Sequence, residues 1–140
     1  MHLPYSQPPS LADIEEIAQA AFAALPAMLT ARCQGLVIRV EDFADEEVLA
    51  DMGVESPFDL AGLYQGVPLT ELEISHLHPA IDMVFLYRRP LLDWWCEEEL
   101  DLDVLVRHVL IHEIGHHFGF SDADMERIEA EAAGDPIQNH

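Results

Sequence analysis

The stretch His112-Glu113-Ile114-Gly115-His116-His117-Phe118-Gly119-Phe120-Ser121-Asp122 decides how this chain is read. It closes a broad apolar pattern, Leu102, Leu105, Val106, Val109, Leu110 and Ile114, whose spacing predicts a long helix that begins near Leu100 and stops at Gly119. Residues four apart on a helix share a face, so His112 and His116 can offer two imidazole nitrogens to one tetrahedral cation. Glu113, one position round, flanks such a site without being a ligand. It can hold a metal-activated water, take its proton as the water attacks a carbonyl, and return that proton to the departing amine. This is the physical content of an HExxH motif.

The bland reading is a charged helical face with histidines turned to solvent. Two features weigh against it. The His-Glu-His cluster interrupts an otherwise apolar helix with groups that are costly to bury unless paired or metal-bound. Gly119 lies three residues after His116 and can take the left-handed conformation that ends a helix, bringing Asp122 within reach of a third coordination position. The run then reads as one design, HExxHxxGxxD. Asp122 as a mere N-cap of the next helix, a role open also to Ser121, is the weaker reading. Glu126 and Glu129 are runner-up third ligands. His108, one turn before His112, and His117, beside His116, read as supporting or surface residues rather than ligands.

Working outward, Ser10-Leu11-Ala12-Asp13 has the form of a capping box, and Leu11, Ile14, Ile17, Ala21 and Leu25 follow at helical spacing until Pro26. Leu36 to Val40 is the first strand and Ile81 to Tyr87 the second, closed by Pro90. Between them, Asp45 to Met52 reads as a short helix, and Gly62, Gly66 and Pro68 bracket Leu63-Tyr64-Gln65 as an extended or edge segment. A last amphipathic helix puts Met125, Ile128 and Ala132 on one face, where core packing is the expected job of Met125. Trp94 and Trp95 read as a packed edge, and Arg88 and Arg89 as partners of neighbouring carboxylates. Residues 1–9 read as a flexible N-terminal arm, 10–133 as a single domain and 134–140 as a polar tail.

The formal charge of −21 comes from 27 acidic residues against six basic ones, all Arg. A polyanion of this kind repels phosphate backbones and anionic lipid, so neither nucleic acid nor membrane is an expected partner. No secretory pattern opens the chain, and the richest apolar run, Ala20 to Leu29, is broken by Pro26; a cytoplasmic location is expected. Cys33 and Cys96 lack any CxxC partner and are expected as two free, buried thiols.

The run from His112 to Asp122 resembles the active-site helix of the small bacterial zincin-like metallopeptidases, relatives of the metzincins reduced to a minimal domain. Glu41-Asp42-Phe43-Ala44-Asp45-Glu46-Glu47, Gly62-Leu63-Tyr64-Gln65-Gly66 and Tyr87-Arg88-Arg89-Pro90 resemble that family too. The resemblance implies an α+β fold, a small mixed sheet packed against the active-site helix and further helices. It also implies one zinc ion held by His112, His116 and Asp122, with Glu113 as general base. The expected activity is zinc-dependent hydrolysis of peptide bonds in peptides or unfolded polypeptides. The larger metzincins place a third His where this chain has Asp122, and the extra negative charge makes zinc a weaker Lewis acid. That departure motivates the alternative of a zinc-stabilised binding module with little or no catalysis. A third and weakest reading, a small acidic adaptor without metal, uses the His-rich helix as an interaction surface.

Overall fold

The computed structural model describes residues 7–66 and 82–134. The expectations for Ile81 and Pro68, and the ends of the proposed arm and tail, lie outside the described residues. Helix α1, Leu11–Ala23, starts at the expected capping box: the Ser10 hydroxyl accepts the Asp13 N–H at 3.1 Å and the Asp13 carboxylate accepts the Ser10 N–H at 2.8 Å. Ile14 and Ala18 face fully inward, while Leu11 is exposed. The helix ends before Leu25, and Pro26 caps a separate short helix α2, Ala27–Thr30. Strand β1 covers Val37–Glu41. Helix α3, Glu46–Met52, is capped by the Asp45 carboxylate, which accepts the Val48 N–H at 2.9 Å.

Strands β2, Gly62–Gln65, and β3, Met83–Tyr87, complete a three-stranded sheet in the order β1-β3-β2. β1 runs parallel to β3, with Val37 opposite Met83, and β2 runs antiparallel to it, with Gly62 opposite Leu86. The sheet is therefore mixed, as expected.

Pro90 does not simply close β3. Helix α4, Arg88–Glu97, starts directly after Tyr87 and was not expected from the sequence. Pro90 occupies its first turn, where the N–H that proline lacks would have no intrahelical partner. The two tryptophans therefore sit on a helix, Trp95 in the core and Trp94 half-buried. Arg88 donates to Asp42 at 3.1 Å and to the Pro9 carbonyl at 2.6 Å, and Arg89 lies over the Phe43 ring.

Helix α5, Leu102–Phe118, ends at Gly119, whose φ of 74° is the left-handed conformation anticipated for it; the Phe120 N–H donates to the Gly115 carbonyl at 2.8 Å. Helix α6 spans Asp122–Ala132. α1 and α5 pack together against the sheet, and α4 and α6 flank α5. Val84 and Leu86 from β3 meet Leu105, Val106, Leu110, Ile111 and Ile114 from α5 in one core. Each such side chain contributes roughly 1.5–3 kcal/mol by leaving water. Of the two thiols, Cys33 is buried as expected, whereas Cys96 is exposed at the end of α4. Its position on the outer side of an unforeseen helix is why.

Candidate metal centre

Because α5 buries one side against the core, its polar residues are confined to the remainder. His108, His112 and His116 follow one another at intervals of four, so they form a single row along the helix. The rings of His108 and His112 have centroids 4.1 Å apart, and those of His112 and His116 stand 5.9 Å apart at nearly a right angle. His108 and His112 are half-buried, while His116 is exposed.

Glu129 of α6 reaches the upper part of this row. One of its oxygens, Oε1, lies 2.8 Å from His108 Nδ1 and 3.0 Å from His112 Nε2. Among the described residues, this is the group of three potential metal ligands whose donor atoms all lie within 4.8 Å of one another. α6 is brought close by a specific fit. The Met125 thioether occupies the space where a side chain on Gly115 would stand, with Sδ 2.4 Å from the position of such a Cβ. Met125 is thereby a core residue, as its spacing suggested.

Asp122 is placed elsewhere. It is an exposed residue in the first turn of α6 and is not in that group of three. The capping of α6 falls to Ser121, whose hydroxyl accepts the Asp124 N–H at 3.1 Å while the Asp124 carboxylate accepts the Ser121 N–H. The structure thus brings His112 to Glu129, and leaves His116 and Asp122 solvent-exposed at the far end of the helix and just beyond it. Sequence reasoning ranked Glu129 below Asp122 and set His108 aside. The available signal was the i, i+4 repeat of His108, His112 and His116, but the approach of α6 to that row is not local information.

Glu113 faces the sheet. Its neighbourhood is created by Gly62: a Cβ there would stand 2.8 Å from Val109 Cγ1 and 3.2 Å from Glu113 Cγ, so only glycine lets β2 lie this close to α5. Burial raises the Glu113 carboxyl above the ordinary carboxylate range, offset in part by His116 and by the Tyr64 backbone amide. Beside it opens a cleft of about 270 Å³ lined by Asp59, Leu60, Trp94, His108, His112 and Glu113, among others. Trp94 sets its ring edge-on to His108, with centroids 5.8 Å apart. On the other flank, His117 stacks on Tyr64 at 3.9 Å, and the Tyr64 hydroxyl donates to Asp82 at 2.9 Å.

A mixed sheet whose antiparallel edge strand lies along a helix bearing HExxH is the architecture of a small zincin-like α+β protein. The family model described as zincin-like metallopeptidase matches residues 33–132, and the chain belongs to that family. No curated protein matches it. Membership supports hydrolase chemistry and implies zinc. The set of His108, His112 and Glu129 fits such an ion: zinc takes imidazole nitrogen and carboxylate oxygen, and a tetrahedral shell with bonds of about 2.0–2.1 Å asks for donors separated by roughly 3.3 Å. The pairs that Glu129 makes with His108 and His112 are close to that spacing.

Proposed function

We propose that the protein is a zinc-dependent peptidase in which His112, His116 and Asp122 hold one metal ion and Glu113 is the general base. The observation that carries this reading is the setting of Glu113, a half-buried carboxyl raised by desolvation and seated next to His112 on the wall of an open cleft. When bound, zinc supplies Lewis acidity toward water and a substrate carbonyl. Glu113 holds the water, removes its proton and delivers it to the departing amine. A half-buried carboxyl next to His112 on the cleft wall is placed for that exchange. β2 is one of the two edge strands of the sheet among the described residues, and the one beside α5, so an extended peptide can lie along it and pair with its backbone. The substrate is a peptide or unfolded polypeptide; the charge of −21 argues against nucleic acid and membrane. A reducing, cytoplasmic setting suits two free thiols.

Glu129 is the competing third ligand, supported by its contact with His112 Nε2 at 3.0 Å. A specific observation favours the binding-module reading as well. The Tyr64 hydroxyl is engaged with Asp82, the Arg88 guanidinium with Asp42, and Tyr87 is buried, so none of these three side chains is free to steady a developing oxyanion.

Glu113→Gln separates the two readings. The peptidase reading expects it to lower hydrolysis of a denatured polypeptide by about 10²–10⁴-fold while one zinc per chain is kept. Equal slow hydrolysis by wild type and Glu113→Gln would leave the binding module. Zinc titration of Asp122→Asn against Glu129→Ala, each in a His108→Ala background, assigns the third ligand, since a neutral amide offers zinc no anionic oxygen.

A further inference from the structure

We infer that α5 and α6 carry a second metal position, formed by His108, His112 and Glu129, that shares His112 with the hydrolytic centre and therefore competes with it for one zinc ion. The inference rests on the reading that His112 and His116 hold the hydrolytic zinc.

The three donors are ordered before any metal arrives. A single carboxylate oxygen of Glu129 meets both His108 Nδ1 and His112 Nε2, at 2.8 and 3.0 Å, and all three donor atoms fall within 4.8 Å. Two of the donors, His108 and Glu129, are held from outside the group. Trp94 sets its ring edge-on to His108. Met125, seated against Gly115, fixes α6 four residues before Glu129, and the buried Ile128 fixes it next door. The donors remain reachable, because His108 and His112 line the open cleft. A shell of two imidazoles and one carboxylate with room for a further ligand is a set that zinc accepts.

Competition follows from the chemistry of one atom. An imidazole nitrogen has one lone pair, and Nε2 of His112, the atom that meets Glu129, is also the ring tip that a helix with histidines four apart turns to a common cation. An ion held with His108 and Glu129 leaves His116 and Asp122 without His112, and two such ligands alone bind weakly. One zinc per chain is distributed between the two positions, and only the fraction beside His116 works on substrate. Excess zinc does not change that distribution, because each position excludes the other and each takes one equivalent.

Zinc binding by the full-length protein tests this, using chelator competition for affinity, elemental analysis for stoichiometry and the cobalt-substituted absorption spectrum for the ligand field. Wild type is expected to take one equivalent. His116→Ala, which breaks the hydrolytic set alone, is expected to keep one equivalent. Adding Glu129→Gln or His108→Ala to it should cost more than about 100-fold in affinity, beyond the 10–100-fold typical of outer-shell changes. Glu129→Gln by itself should keep one equivalent with a cobalt spectrum different from that of His116→Ala, the wild type lying between them. Far-ultraviolet circular dichroism confirms that each variant is folded.

Loss of zinc in His116→Ala as complete as in the double variants overturns the second position and leaves the proposed peptidase centre intact. Two equivalents in wild type overturn the competition. Zinc lost from Glu129→Gln but unaffected in His116→Ala keeps the new position and sinks the His112–His116–Asp122 centre instead. No zinc in wild type overturns both.

Discussion

Tyr87 shows how one side chain records its surroundings. Burial first, then the negative charges of Glu41, Asp45 and Glu113, push its hydroxyl from 10.0 up to about 12. The folded protein keeps the phenol proton over a range in which the unfolded chain releases it. The resulting stabilisation is complete below pH 10 and is lost as pH rises from 10 to 12. Urea midpoints should therefore fall over that alkaline range. Tyr64 moves in the same direction, through burial and then its hydrogen bond to Asp82, so Tyr87→Phe should flatten the fall without abolishing it. An unchanged slope in Tyr87→Phe would remove Tyr87 from this account. Glu113 belongs at the same scale: its identity as a base was legible in HExxH, but its raised carboxyl depends on Gly62 and β2, which lie some fifty residues away in sequence.

At the scale of elements, two glycines act for different reasons. Gly119 was legible, since a helix that must turn back after His116 needs a residue at ease with positive φ, and its φ is 74°. Nothing lies within 4 Å of the Cβ it lacks. Gly119→Ala should accordingly cost about 1–2 kcal/mol of backbone strain without disturbing any packing. Gly62 has no such strain, yet its missing Cβ would stand 2.8 Å from Val109 Cγ1. Gly62→Ala should cost about 1–3 kcal/mol by overpacking and, in forcing β2 away from α5, displace Glu113 and reduce hydrolysis. Denaturant melts and activity measured together distinguish the two: activity lost in Gly119→Ala but kept in Gly62→Ala would reverse this assignment. α4 was not legible because a proline reads as a stop, whereas the first turn of a helix has no use for the N–H that proline lacks.

For the whole molecule, the charge of −21 sets the folded state against its own repulsion. Raising ionic strength from 0.01 to 1 M shortens the screening length from about 30 to about 3 Å, so thermal stability should increase with salt. A melting temperature that falls or stays level between dilute buffer and molar sodium chloride would show that repulsion contributes little. No helix among the described residues is long and apolar enough to cross a membrane. The sequence by itself determined the α+β class, the bounds of α5 through its apolar spacing and Gly119, and the candidacy of His112, Glu113 and His116. The bounds of α5 and the His-Glu-His cluster rest on periodicity and local backbone geometry, which are written within a few residues of each other, whereas the α+β class was implied by the family resemblance. Only the tertiary structure decided which carboxylate meets His112. Glu129 and Asp122 sit on the same short helix, and which one faces the histidine row depends on how α6 packs through Met125 onto Gly115. That contact is set by the shape of the assembled core and leaves no periodic trace in the chain.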